Sequence, residues 1–156
     1  MLTALVIAGA VFFAVIIIGL NPVLEIRDSN SGKRYGSWQF EEEKEFSVEF
    51  IHSVNKSPVR ETFTIEKDMI RLKSLRFYSY GAGIPSYLDE GQTMTRDGDA
   101  LLITGFTSSF KKISYIIGPY SDHLLIINND IISLRELTGL NSNTGGRNAN
   151  ITIQLK

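Results

Sequence analysis

Two kinds of hydrophobic pattern divide the chain. The first 20 residues are apolar except Thr3, Gly9 and Gly19, and every charged side chain falls after residue 24. From Val23 onward, short stretches of alternating apolar and polar residues are broken about every eight to twelve residues by Gly, Pro, Asn, Asp or Ser. Alternation indicates strands with one buried face, and turns at this spacing are typical of an all-β fold. The pattern predicts one apolar helix followed by a single β-rich domain over residues 23–156.

Residues 1–20 are long enough to cross a membrane as a helix. At a rise of about 1.5 Å per residue, such a helix spans the roughly 30 Å hydrocarbon core. No Lys or Arg precedes the segment, and its one Ala-x-Ala sequence lies inside the apolar run. An uncleaved transmembrane anchor is therefore favoured over a cleavable signal peptide. Arg27, Lys33 and Arg34 follow the segment, and by the positive-inside count they favour a cytoplasmic domain.

The clearest alternation lies in two segments, 45–52 and 59–66, which together predict an antiparallel hairpin. Pairing them across a loop at 53–58 puts Phe50 opposite Glu61 and His52 opposite Val59. The residues on the predicted inner face are Phe46, Val48, Phe50, His52, Val59, Glu61, Phe63 and Ile65. Two of them, His52 and Glu61, are polar where the pattern calls for apolar side chains.

The remaining elements also read as short strands. Lys67-Asp68 predicts a turn, and 69–80 predicts a third long strand in which both faces carry apolar residues. We expect a polar loop at 86–98, one helical turn at 133–137, a loop at 138–149, and strands at about 99–106, 111–117, 122–128 and 150–156. The chain lacks the long helical stretches that parallel strands need, so we predict an antiparallel sandwich or barrel.

Composition narrows the possible classes of function. The 156 residues include no Cys, 16 Lys and Arg against 17 Asp and Glu, and 43% hydrophobic residues. These values exclude a disordered chain and a disulfide scaffold. The basic doublets Lys33-Arg34 and Lys111-Lys112 are too few and too far apart for a nucleic-acid interface, so no nucleic-acid partner is predicted.

The His52 and Glu61 pair is the strongest candidate for chemistry. A carboxylate beside an imidazole can act in general acid or base catalysis, bind a ligand, or brace a hairpin. The structural interpretation is favoured, because buried polar groups at strand ends usually form hydrogen bonds with nearby backbone. Ser53 is a poor nucleophile candidate, since consecutive strand residues point to opposite faces, and it is more simply a turn residue that caps backbone amides. No catalytic residue is assigned.

Metal and phosphate sites have little support. The chain has two histidines, His52 and His123, and no cysteine, so no short-spaced pair of metal ligands exists. We interpret His123 as an ordinary edge-strand histidine and the adjacent Asp122 as a turn residue. Gly81-Ala82-Gly83 lacks both the spacing of a phosphate loop and a helix after it. We predict no metal and no cofactor.

Two motifs resemble those of a known family. The stretch FIHSVNKSPVRETF at 50–63 and the stretch YGAGIP at 80–85 are similar to the hallmarks of an uncharacterised bacterial and archaeal family, domain of unknown function 1850. Those hallmarks are HSVxKxPVxE and a Gly-Ala-Gly-like turn, and the similarity extends in order and length over about residues 23–156. The residues that carry it, which we take as a candidate ligand-binding or structural site, are His52, Ser53, Lys56, Pro58, Glu61, Tyr80, Gly81 and Gly83.

The resemblance implies a membrane-anchored or exported β-rich protein without an established activity. Genes of this family commonly stand beside those of TRAP-type solute transporters of the TAXI class, which implies a domain outside the cytoplasm, against the charge count. We therefore expect a non-enzymatic accessory or ligand-binding module, anchored by residues 1–20, whose partner is the transporter or its solute-binding protein. Two alternatives stay open: an exported enzyme that uses His52 and Glu61, and a structural or assembly partner.

Overall fold

The computed structural model describes residues 21–81, 84–141 and 145–156, which form two antiparallel sheets. The smaller sheet has the strand order β2-β1-β12-β9, and the larger has the order β11-β10-β3-β4-β5-β7-β6 with β8 beside β5. The strands are β1 (Val23–Asp28), β2 (Arg34–Gln39), β3 (Glu45–Ile51), β4 (Pro58–Glu66), β5 (Met69–Phe77), β6 (Thr93–Asp97), β7 (Ala100–Thr104), β8 (Ser109–Phe110), β9 (Lys112–Ile117), β10 (His123–Ile127), β11 (Asp130–Ser133) and β12 (Ala149–Leu155), and the one helix of the described residues is α1 (Leu134–Leu137).

The predicted anchor at residues 1–20 lies outside the described residues. Within 21–81, 84–141 and 145–156, no helix is long and apolar enough to cross a membrane.

One hydrophobic core joins the two sheets. Side chains of both sheets belong to a single buried cluster, so the sheets pack face to face as a sandwich. The fully or almost fully buried members are Leu24, Ile26, Ile117, Ile151 and Ile153 from the smaller sheet and Phe46, Val48, Phe63, Ile70, Leu125 and Ile127 from the larger. The predicted all-β antiparallel fold is confirmed, and of the two open architectures the sandwich is the one observed.

The β3–β4 hairpin forms as predicted, but its register differs by two residues. Val48 lies opposite Glu61 and Phe50 lies opposite Val59, so the predicted pairs Phe50 with Glu61 and His52 with Val59 are wrong. The reason is that β3 ends one residue before His52, which begins the turn at 52–57. Pro58 then begins β4, a position that tolerates a residue without an N–H. A two-residue shift preserves which face each side chain occupies, so Glu61 still points inward.

A β-bulge explains why both faces of the third strand carry apolar residues. The turn at Lys67-Asp68 is confirmed, with both residues at positive φ, and the strand that follows ends at Phe77 rather than at 80. The register against β4 shifts at Lys73, so Ile70 before it and Leu75 and Phe77 after it all point into the core. Before Lys73 the even-numbered residues of β5 face inward, and after it the odd-numbered residues do, so apolar residues occur on both faces of the strand.

The strands that the alternation pattern does not predict include β6 and β11, which are the two edges of the larger sheet. β6 occupies 93–97, so the prediction of a continuous polar loop over 86–98 is wrong there; its side chains are mostly exposed, and an edge strand of this kind shows no apolar period. β11 follows β10 after a two-residue turn at Asn128 and Asn129. The predicted helical turn is confirmed as α1, where the Ser133 hydroxyl accepts a hydrogen bond from the Glu136 N–H at 3.0 Å.

Candidate functional site

A cavity of about 380 Å³ lies at the end of the β3–β4 hairpin, with walls from both sheets. The motif residues His52, Ser53 and Glu61 line it. The other lining residues are Phe50, Val59, Leu75, Ile84, Ile116, Gly118, Ser121 and His123. A small cavity with mainly apolar walls and a few convergent polar groups has the character of a ligand site.

His52 directs the turn that follows β3. Its side chain is 7% exposed, and Nδ1 accepts hydrogen bonds from the backbone N–H groups of Val54 at 3.2 Å and Asn55 at 3.5 Å. Its own backbone N–H donates to the Ser57 carbonyl at 2.9 Å, and its carbonyl accepts from the Lys56 N–H at 3.0 Å. The imidazole thus satisfies loop amides, as the structural interpretation predicted.

The remaining residues of the first motif shape this turn. Ser53 is a turn residue, as predicted, and is exposed at the cavity edge. Lys56 is exposed and has a φ of 56°, the left-handed conformation that closes the turn. Pro58 is exposed at the first position of β4. Neither Lys56 nor Pro58 lines the cavity, so their contribution is to the shape of the loop rather than to the cavity wall.

Asn55, which sequence reasoning missed, ties the turn to the end of β5. Its Nδ2 donates to the carbonyls of Ser79 at 2.9 Å and Tyr80 at 3.2 Å. Its Oδ1 accepts from the Ser57 N–H at 3.1 Å and from the Ser57 hydroxyl at 2.8 Å. An Asn in a Ser- and Pro-rich turn is a common source of such side-chain to backbone bonds, and that was the available signal.

The second motif contacts the first directly. A Cβ placed on Gly81 would lie 2.9 Å from His52 Cε1 and 3.1 Å from Asn55 Nδ2, so only glycine fits against the imidazole. Tyr80 is 52% exposed, and its ring meets that of Phe77 edge-on at 5.4 Å between centroids. Gly83 lies outside the described residues. The two motifs, about 20 residues apart in sequence, are thus two sides of one packed unit.

Glu61 is hydrogen-bonded from the opposite sheet. The Tyr115 hydroxyl on β9 donates to Glu61 Oε2, and this bond links the larger sheet to the smaller. Burial raises the pKa of Glu61, and the Tyr115 hydrogen bond opposes this in part. Burial, together with the neighbouring carboxylate, raises the pKa of Tyr115 far above its usual value, so the phenol stays a donor. The coupling of His52 with Glu61 stays a prediction.

Tyr115 was also missed by sequence reasoning, although a signal for it exists. It lies two residues from both Ile113 and Ile117, and the three side chains share the inner face of β9. A tyrosine on an inner face needs a partner for its hydroxyl. That requirement indicates an inward-facing acceptor on another strand, and in the structure this acceptor is Glu61.

His123 lines the cavity, and its interpretation as an edge-strand histidine is wrong. Its strand β10 pairs on both sides, with β3 and β11, and its ring stacks on Phe50 at 4.9 Å between centroids. Nδ1 is buried and has no hydrogen-bond partner among the described residues. Burial lowers the pKa of His123, and Asp122 opposes this in part. Asp122 itself accepts hydrogen bonds from residues around α1 rather than from the cavity.

Comparison with known proteins identifies the family. The sequence model of a family described as a domain of unknown function (DUF1850) matches residues 46–134. No curated protein and no solved structure matches the chain. The matched range runs from β3 to the first residue of α1 and contains the whole first motif, Gly81, Tyr115 and His123. Because the match covers more than half of the 156 residues, the chain belongs to the DUF1850 family.

Proposed function

We propose that the protein is a non-enzymatic accessory module of a TRAP-type solute uptake system, and that the cavity at His52, Ser53 and Glu61 is its ligand site. Residues 1–20 anchor it in the membrane as an uncleaved helix, and the β-sandwich lies outside the cytoplasm. The module binds a solute beside the transporter or its solute-binding protein. The observation that carries the proposal is that three residues of the family motif, His52 and Ser53 in the turn and Glu61 on β4, line the same cavity.

The state of Glu61 favours binding over a purely structural role. A half-buried carboxyl whose pKa is raised by burial is held in an environment unfavourable to its charged form. A neutral side chain of the same shape would fill this inner-face position at a lower cost to folding. A carboxyl kept in a cavity wall at such a cost is typical of functional sites.

Solute uptake by cells that carry the transporter tests the proposal. Glu61→Gln should reduce uptake while the protein keeps its level in the membrane and melts at a temperature no lower than that of the wild type. Glu49→Gln is the matched control, because Glu49 lies on the outer face of the neighbouring strand β3, where it pairs with Arg60 at 2.7 Å. Equal uptake by the Glu61 variant, or an equal loss in both variants, would rule out the cavity as the functional site.

Topology and partners are tested separately. Protease added to intact cells should digest the sandwich, and an undigested sandwich would contradict its placement outside the cytoplasm. N-terminal sequencing of the mature protein should begin at or near residue 1, whereas a start after residue 20 would contradict the anchor. Affinity capture of the full chain from detergent-treated membranes should recover the transporter or its solute-binding protein.

A further inference from the structure

The cavity carries a carboxyl but no fixed positive charge. Glu61 is the one acidic side chain among its described lining residues, and none of those residues is Lys or Arg. All 16 Lys and Arg residues of the chain fall within the described ranges, so no basic side chain from the rest of the chain supplies the missing charge. A negatively charged ligand would therefore meet a carboxylate with no Lys or Arg to offset it.

The other titratable groups near Glu61 do not replace a cation. Tyr115, from the smaller sheet, donates to Oε2 and stays protonated, which leaves Oε1 for a ligand. His123, from β10, is held in its neutral form near neutral pH because burial lowers its pKa. His52, from the turn, uses Nδ1 as an acceptor for backbone N–H groups. The charge that best complements the cavity is therefore positive.

Much of the remaining cavity wall is apolar. Phe50, Val59, Leu75, Ile84 and Ile116 provide aliphatic and aromatic surface around the carboxyl. A volume of about 380 Å³ is near the lower end of the range of about 300–1,000 Å³ for small-molecule sites. A ligand that fits must be small, and most of its surface must be hydrocarbon.

We propose that the cavity binds a small organic cation, a protonated primary amine on an apolar body, with its ammonium group on Glu61 and its hydrocarbon against Phe50, Val59 and Leu75. This inference rests on the proposed ligand site and goes further by naming the ligand class. An ammonium group supplies charge-assisted hydrogen bonds to a carboxylate that is shielded from water, where such bonds are strongest.

Three probes with the same number of carbon atoms test the head group: n-butylammonium, 1-butanol and butyrate. Each is titrated into the full chain in detergent at pH 8 and followed by NMR of the imidazole resonances. The chain has only two histidines, and both line the cavity, so either imidazole reports binding there. We expect n-butylammonium to bind at least about tenfold more tightly than 1-butanol, and butyrate to bind most weakly.

Glu61→Gln should lower the affinity for n-butylammonium about tenfold, to that of 1-butanol, and leave 1-butanol binding unchanged. Glu49→Gln should bind all three probes as the wild type does, since its carboxylate lies outside the cavity. In the wild type, affinity for n-butylammonium should rise with pH until Glu61 is ionised, because the bound cation favours the carboxylate. If Glu61→Gln fails to fold, the wild-type ranking of the three probes decides alone.

The possible outcomes separate the two proposals. Butyrate binding more tightly than n-butylammonium, no preference among the three probes, or an ammonium preference that survives in Glu61→Gln would overturn the amine inference while leaving a ligand site. No shift of either imidazole with any probe would also overturn the amine inference, whereas the ligand site itself is refuted separately, by uptake that is unchanged in Glu61→Gln.

Discussion

Gly81→Ala should destabilise the protein through a single added methyl group. The new Cβ would lie 2.9 Å from His52 Cε1 and 3.1 Å from Asn55 Nδ2, whereas ordinary contacts begin near 3.4 Å. Gly81 is not among the glycines with positive φ, so backbone strain does not contribute. The imidazole is buried and bonded to the Val54 and Asn55 amides, so it cannot move away without weakening those bonds.

The magnitude follows from three effects. Overpacking a tightly packed site costs about 1–3 kcal/mol, and weakening the two hydrogen bonds to His52 Nδ1 removes only a fraction of the about 0.5–1.5 kcal/mol that each whole bond contributes. In the opposite direction, alanine lowers the conformational entropy of the unfolded chain, which stabilises the folded state by about 0.4–1 kcal/mol. We expect a net loss of about 1–3 kcal/mol in the free energy of unfolding, or roughly 3–10 °C in melting temperature for a chain of this size.

Thermal unfolding followed by circular dichroism measures the loss, and the His52 imidazole resonances should shift as the ring is displaced. Gly118→Ala is the control, because Gly118 lines the same cavity but its Cβ would meet only Asn148 Oδ1, at 3.7 Å. The control should be neutral or slightly stabilised. A Gly81→Ala protein as stable as the wild type would contradict the close packing of the two motifs, and equal losses in both variants would contradict its steric cause.

Three further variants probe the polar groups in the cavity wall and beside it. Tyr115→Phe removes the hydrogen bond to Glu61, so it should cost about 1–3 kcal/mol of stability and raise the Glu61 pKa further, as measured by NMR titration of the carboxyl carbon. The Glu61 pKa is raised above its ordinary value of 4.5, so the contribution of Glu61 to stability is present below that value and is lost as pH rises through the raised pKa. Glu61→Gln should abolish this loss, as measured by the free energy of unfolding from urea curves at a series of pH values. If the variant shows the same dependence of that free energy on pH as the wild type, the burial of the carboxyl is contradicted. The His123 pKa is lowered below 6.5, so the contribution of His123 to stability is present above that value and is lost as pH falls through the lowered pKa. His123→Phe keeps a ring against Phe50 and should remove this sensitivity to acid. Unfolding curves of the variant that keep the wild-type pH dependence would refute this role of His123.

The fold was predictable where one face of a strand is buried along its whole length. The segments around β3 and β4 alternate cleanly, so the hairpin and the inward face of Glu61 were predicted correctly. The register was not, because it depends on the residue at which the turn begins, and an alternating pattern is unchanged by a shift of two. The bulge at Lys73 and the exposed edge strand β6 could not be predicted either, because neither produces a regular apolar period in the sequence.

The candidate site was predictable only in part, since its residues come from both sheets. His52, Ser53, Glu61 and Gly81 stand in motifs that the sequence displays, although the contact between Gly81 and His52 depends on where β5 ends. Tyr115 and His123 belong to strands far along the chain that meet the hairpin only in the folded structure. Local alternation shows which face such a side chain occupies but not which strand lies opposite it.

The pairing of β1 with β12 bears on the order in which the protein folds. These are the first and last strands of the described residues, and Ile26 lies opposite Ile153, more than 120 residues later in the chain. During synthesis the larger sheet has all its strands before β12 emerges, whereas β1 gains this neighbour only after β12 has been made. Such distant pairing slows folding and leaves the apolar side of β1 uncovered in the meantime. We therefore expect the smaller sheet to form later than the larger one, and the Tyr115–Glu61 bond, which needs both sheets, to form only when folding is complete.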